Sequence, residues 1–123
     1  MSKNLEISVL LDYYGGMLTD KQRDVIDLYY NQDLSLAEIA EHEKISRQGV
    51  RDNIKRGEAY LLELEENLHL AKQTASLLVL LEDIQHRNRE IYRINEENKY
   101  SAEIKENAVV IENKLKTFLK EYE

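Results

Sequence analysis

The amino-acid sequence predicts an all-α protein. A helix-turn-helix, formed by a three-helix unit with an N-terminal bracing helix, would precede a long C-terminal helical extension. The 123 residues include no proline and only four glycines, so few positions would interrupt a helix. Charged residues make up 33% of the chain, and apolar residues recur at spacings of three and four. We therefore expect a helix-turn-helix domain at residues 1–62 and a helical oligomerisation region at residues 63–123.

The first predicted helix begins at Asn4, because an asparagine side chain can cap the first turn. It is expected to end at Gly15 in a left-handed conformation, which is the usual helix terminator. This helix would brace the unit that follows, although Leu10 and Leu11 would also suit contact with a second subunit. Its apolar residues are Leu5, Val9, Leu10 and Tyr13.

Three further start signals predict the helix-turn-helix itself. Thr19 with Gln22 and Ser35 with Glu38 have the spacing of a capping box, in which each side chain binds the other residue's amide. Ser46 can cap a third helix, and it follows Ser35 by eleven residues. Two consecutive helices separated by a short polar corner are typical of a helix-turn-helix.

The helix that Ser46 begins is the candidate recognition helix. At about 100° per residue, Val50, Ile54 and Leu61 share one face and are expected in the core, with Gly57 on the same side. Arginine and lysine on the other face can pair with phosphates, and arginine or glutamine can bind base edges in a major groove. The candidate nucleic-acid-binding residues are Arg47, Gln48, Arg51, Lys55 and Arg56.

Charge bears on this interpretation in both directions. The chain carries a net charge of −7, whereas dedicated DNA-binding proteins are usually basic. Asp52 also lies on the outer arc, where it would face phosphate or form a salt bridge with Arg56. Between Ser46 and Gly57, however, four cations stand against one carboxylate, a local net charge of +3. Use of the same surface to bind a protein remains open.

The segment from Leu18 through Arg56 resembles region 4 of bacterial sigma factors, which reads a promoter element by inserting a helix into the major groove. The chain is more similar still to the small bacterial YlxM family, and this likeness covers nearly its whole length. It is carried by the segment ISRQGVRDNIKR, the tyrosine-rich start and the long helical tail. This resemblance implies an all-helical, sigma region 4-like protein whose gene commonly neighbours those for signal recognition particle components. It implies a regulatory part in that pathway.

The C-terminal extension carries a second pattern, which predicts oligomerisation. Residues 77–81 are five consecutive apolar residues, and a helix apolar on all sides must be covered by another element. We expect a homodimer with Leu77, Leu78 and Leu81 at its interface. Alternatively, a last helix from Ala102 to Glu121 would fold back over this run, with Ile104, Val109, Ile111, Leu115 and Phe118 inward. A seam expected to run out of the recognition helix comprises Leu61, Leu64, Leu68, Ala71, Ala75 and Leu78.

Enzymatic chemistry finds no support in the residue pattern. The chain has no cysteine, and His42, His69 and His86 are not spaced with carboxylates as metal ligands. We expect no catalytic residue, metal or cofactor, and neither a signal peptide nor a membrane span, in a cytoplasmic protein. Two functions remain. One is a regulator of the signal recognition particle pathway that contacts the particle's RNA or protein, and the other is a transcription regulator that reads promoter-like DNA.

Overall fold

A computed structural model describes residues 3–122, and the chain divides into two compact units, Met1–Lys72 and Gln73–Glu123. Within the described range all regular structure is helical, so the all-α prediction is confirmed. A single 3₁₀ turn, Gly15–Met17, follows the first helix. The helices are α1 Glu6–Tyr14, α2 Asp20–Tyr30, α3 Leu36–Glu43, α4 Arg47–Leu68, α5 Leu70–Asn98 and α6 Ala102–Lys120.

The predicted caps set where α2, α3 and α4 begin. Thr19 accepts a hydrogen bond from the Gln22 amide at 3.1 Å, and Ser35 accepts one from the Glu38 amide at 3.1 Å. In both cases the third residue's side chain returns a bond to the cap amide, which completes the capping box. Ser46 caps α4 through the Gly49 amide at 2.9 Å.

The core of unit 1 is built around α4. The α4 residues Val50, Ile54 and Leu61 are fully buried, as predicted. One cluster packs α4 against α1 and α2, and a second packs it against α2 and α3. Both clusters are apolar and pack against the same side of α4. The other side of α4 therefore faces solvent.

The inward face of α1 differs from the predicted one. Leu5 is 79% exposed and Val9 is 50% exposed. Leu10, which was among the predicted residues, is buried, and Ile7, Leu11 and Tyr14 join it at helical spacings of three and four. Because Leu10 and Leu11 lie in the core of their own chain, they are not available to a second subunit.

Two predictions about helix ends were wrong. Gly15 has φ −55°, so it is not left-handed, and the chain continues into the 3₁₀ turn. The seam expected to run from α4 onward is interrupted, because α4 ends at Leu68 and His69 adopts a left-handed φ of 55°.

The Tyr14 hydroxyl donates to Glu65 at 2.6 Å and accepts from the Leu70 amide at 3.0 Å. Glu65 in turn accepts from the next two amides of α5.

Unit 2 is an antiparallel hairpin of α5 and α6 joined at residues 99–101. Polar side chains connect the two helices. Asn95 exchanges two hydrogen bonds with the Ser101 backbone, and Asn88 donates to the Ala108 carbonyl at 2.8 Å. Further along, Glu112 accepts from Arg89 at 2.7 Å and from Gln85 at 3.2 Å.

The last helix folds back on α5, and of the residues expected inward Leu115 is buried and Phe118 is half-buried. Within residues 73–122, the buried apolar side chains are those of Ala108 and Leu115. Ile104, Val109 and Ile111, which were also expected inward, are each about 40% exposed, and asparagine and glutamine side chains share the hairpin interior with Ala108 and Leu115.

Candidate nucleic-acid interface

The turn between α3 and α4 sets the direction of α4 relative to α3. Lys44 ends α3 in the left-handed conformation, with φ 57° and ψ 43°. The Ile45 amide then reaches back to the Ala40 carbonyl at 3.1 Å, which closes the turn as a Schellman motif. Ser46 follows as the cap of α4, so the corner is three residues long.

A close helix crossing holds α4 against α2. Gly57 is buried, and a Cβ atom at that position would lie 2.2 Å from Cδ1 of Ile26. The Tyr30 hydroxyl also donates to the Glu58 carboxylate. Because the backbones approach at a residue without a side chain, the rotation of α4 about its own axis is fixed by packing.

The opposite side of α4 carries the residues that were predicted to bind nucleic acid. We call this surface the α4 outer face. All five of its members are exposed, and they follow one another along the first three turns of the helix. They are Arg47, Gln48, Arg51, Lys55 and Arg56.

The cations of the α4 outer face differ from three other cations of unit 1, whereas Lys44 and Lys72 likewise have no ion-pair partner within residues 3–122. Lys3 pairs with Asp33 at 2.7 Å, Lys21 with Glu43 at 3.3 Å, and Arg23 with Asp20 at 3.3 Å. In contrast, no carboxylate within residues 3–122 lies in ion-pair range of the arginines and the lysine of the α4 outer face. Their charge is therefore available to an external anion.

Asp52 is the acidic residue on this arc, and its contact differs from the salt bridge considered from the sequence. Its carboxylate accepts a hydrogen bond from the Gln48 side chain at 3.1 Å, not from Arg56. This bond occupies one of the two N–H groups of the Gln48 side-chain amide and sets the orientation of that amide. Arg51 carries no such internal bond within the described residues, so it is the better placed of the two for a base contact.

Sequence reasoning missed Lys44, whose side chain is exposed one turn before Arg47. The sequence placed it in the polar corner but did not indicate its left-handed backbone. Asn53 is also engaged, since its side chain donates to the Gly49 carbonyl at 2.8 Å. Lys44 therefore extends the cationic surface at the N-terminal end of α4, whereas Asn53 serves the helix itself.

The described residues provide neither a metal site nor a membrane-spanning helix. Between Lys3 and Tyr122, no group of three or more histidine and carboxylate side chains is arranged to hold a metal ion. In the same part of the chain, no helix has both the length and the apolarity needed to cross a bilayer.

Helices α2, α3 and α4 form a three-helix unit with a tight corner between α3 and α4 and an exposed outer face on α4. This arrangement defines the chain as a helix-turn-helix protein. The family follows from comparison with known sequences. The chain belongs to the family described as "Putative helix-turn-helix protein, YlxM / p13 like", whose model matches residues 1–107.

Several bacterial relatives show the same relationship. A UPF0122 protein of Clostridium kluyveri is 53% identical over 77 residues, which cover 63% of this chain and 69% of the relative. One from Clostridium perfringens strain 13 is 44% identical over 113 residues, covering 92% of this chain and 87% of the relative. A third, from Clostridium novyi, is 40% identical over 106 residues, covering 86% and 92%.

Proposed function

We propose that this protein is a non-enzymatic, cytoplasmic regulator that contacts nucleic acid through the α4 outer face. The single observation that supports this best is that four cations lie together on one exposed helix face with no ion-pair partner within residues 3–122. Lys3, Lys21 and Arg23 are each matched by a carboxylate, whereas the four cations of the α4 outer face are not. A local charge of +3 on an acidic chain suits modest, salt-sensitive binding to phosphates.

The proposed context is the signal recognition particle pathway, with the particle's RNA or protein as the partner. Its support is the resemblance of the chain to the YlxM family, together with the mixed polar and cationic character of the α4 outer face. An RNA helix hides its base edges in a deep and narrow major groove. Contact with the particle's RNA would therefore use phosphates, loops or unpaired bases.

The second candidate is a transcription regulator that reads promoter-like duplex DNA. The observation that favours it is that one side of α4 is buried and the other is exposed. A single exposed helix face fits the roughly 12 Å major groove of B-DNA. A homodimer, which we also propose, would present two such helices to two half-sites.

Fluorescence anisotropy across a salt series separates these ligands. The labelled probes are duplex DNA, a structured RNA of the particle and the particle's protein. With four cations engaged, duplex binding is expected to fall with salt at a log-log slope of magnitude about 3 to 4. A flat salt response combined with binding to the protein probe would replace the nucleic-acid proposal with a protein contact.

Variants test the surface itself. Arg51→Ala with Lys55→Ala is expected to weaken nucleic-acid binding by at least about tenfold and to lower the slope by about 2, without loss of helicity. The matched control is Arg23→Ala with Lys72→Ala, which removes the same charge from exposed positions of unit 1 outside α4. Equal loss of affinity in both double variants would show that net charge, not the α4 outer face, controls binding.

A further inference from the structure

The α5–α6 hairpin leaves unusually little apolar surface inside. Within residues 73–122 the buried apolar side chains are Ala108 and Leu115, and hydrogen bonds of asparagine, glutamine and glutamate join the two helices. The apolar core of this hairpin is therefore small. A partner that covers an exposed apolar face would enlarge it.

The apolar residues that could complete it lie along one stripe of α5. They follow one another at alternating spacings of three and four residues, which is the heptad pattern of a helix that packs into a bundle, with Arg87 as the polar interruption. Each is between 41% and 54% exposed. The members of this stripe are Leu77, Leu80, Ile84, Ile91 and Ile94.

Helix α6 contributes to the same side of the hairpin. At about 100° per residue, the α5 stripe is rotated by roughly 90° from the line that faces α6. Ile104 and Ile111, each 42% exposed, are rotated in the same sense by roughly 60° from the line that faces α5. The two helices run antiparallel, so stripes that are rotated in the same sense from the facing lines lie on the same side of the hairpin. We call this side the hairpin apolar face.

The other side of the hairpin is polar, and this supports the assignment. The ion pairs Arg89–Glu112 at 2.7 Å and Lys105–Glu96 at 3.6 Å join the helices there. Val109, at 40% exposure, is the large aliphatic residue on that side. The hairpin is therefore amphipathic as a layer of two helices, with one apolar and one charged surface.

We infer that the hairpin apolar face is covered by the same face of a second copy of this chain, so that two hairpins form a four-helix bundle. A stripe from Leu77 to Ile94 spans about 27 Å, and a partner needs a helix at least that long. The 29-residue α5 of a second copy supplies one, next to its own α6. Two hairpins with short loops are a common way to build such a bundle.

Charge at the rim favours a copy of the chain over a lipid surface. Asp83 pairs with Arg87 at 3.3 Å beside the α5 stripe, and Glu103 and Lys114 border it on α6. A rim that carries both signs can match itself across a twofold axis. Anionic membranes instead attract faces bordered by lysine and arginine alone.

This inference refines the homodimer of the proposed function and is independent of the nucleic-acid ligand. Of the predicted interface residues Leu77, Leu78 and Leu81, it keeps Leu77 and replaces the other two. Of these three, Leu78 and Leu81 are half-buried within their own unit, and Leu78 lines a groove between α5 and α6 with Leu119.

Light scattering on the purified chain, with no nucleic acid present, tests the inference. The native chain is expected at about 29 kDa, twice the 14.5 kDa of one chain. Ile84→Glu with Ile91→Glu is expected to weaken dimerisation by about 100-fold or more, since hot-spot losses multiply at a twofold interface. The matched control is Val109→Glu, equally exposed on the polar side, which is expected to stay dimeric.

Three results would overturn the inference: a monomeric native chain, a double variant that stays dimeric, or a control that dissociates equally. If the charged variant aggregates, spin labels on Ile84→Cys and Val109→Cys give a second measurement, because the chain has no other cysteine. Immobilisation of the first label alone, reversed on dilution, supports the bundle. Equal mobility of both labels contradicts it.

Discussion

The close crossing of α2 and α4 allows a double-mutant cycle in which two unfavourable substitutions are expected to correct each other. The perturbation is Gly57→Ala combined with Ile26→Val. A Cβ added at Gly57 lies 2.2 Å from Cδ1 of Ile26, which is fully buried and cannot move into solvent. Ile26→Val removes that Cδ1 atom, so the added methyl group takes the space it leaves.

The magnitudes can be worked out for each arm. Gly57→Ala gains about 1 kcal/mol of helix propensity and loses about 1–3 kcal/mol by overpacking, a net loss of about 1 kcal/mol. Ile26→Val alone costs about 1 kcal/mol through the cavity it creates. The double variant has neither clash nor full cavity, and we expect its free energy of unfolding to match or exceed the native value. The coupling energy is then about 2 kcal/mol.

Urea unfolding followed by circular dichroism measures all four corners of this cycle. Gly16→Ala is the control, because a Cβ at Gly16 meets no atom within 4 Å. It is expected to shift the free energy of unfolding by less than about 1 kcal/mol. If the two substitutions are additive within about 0.5 kcal/mol, the reasoning from this contact is refuted.

Two further predictions concern stability away from that crossing. Lys44→Gly is expected to raise the free energy of unfolding by about 0.5–1 kcal/mol, because glycine accepts the left-handed φ of 57° at low cost; an unchanged urea midpoint would contradict this. Bonds to Glu65 from Tyr14, and then from the first amides of α5, lower the pKa of its carboxyl group, and the Ser35 amide likewise lowers the pKa of Glu38. The two carboxylates stabilise the folded chain fully above the unfolded pKa of about 4.3. This contribution is lost as pH falls through the lower folded pKa, so the urea midpoint should drop on acidification. Glu65→Gln should reduce that drop, and an equal drop in the variant would exclude Glu65 as a source.

Local signals explain why the helix-turn-helix could be predicted from the sequence. A cap hydroxyl acts on an amide three residues away, so Thr19, Ser35 and Ser46 indicate helix starts whatever surrounds them. The exposure of Arg51 and Lys55 follows in the same way from the burial of apolar α4 residues by helical geometry. The ligand does not follow, because it depends on a surface that is not part of this chain.

Distant contacts explain what the sequence did not indicate. The break at His69 depends on a hydroxyl at Tyr14 that binds Glu65, 51 residues along the chain. The face of α6 was predicted correctly at Leu115 but not at Ile104 or Ile111, because apolar periodicity assumes an apolar interior, whereas Asn88 and Asn95 share that interior. Each asparagine binds a backbone group of the neighbouring segment, and composition alone does not reveal such a pair.

The hydroxyl of Tyr14 has a consequence for how the protein can be shortened or tagged. This one group holds the carboxylate that caps α5 and also receives the Leu70 amide. Removal of the N-terminal helix would therefore expose core leucines, leave the Leu70 amide at the start of α5 without its acceptor, and remove the hydroxyl that binds the Glu65 carboxylate. A truncation that starts at Thr19 should fray a helix that begins some fifty residues later, so the two ends of unit 1 must be produced together.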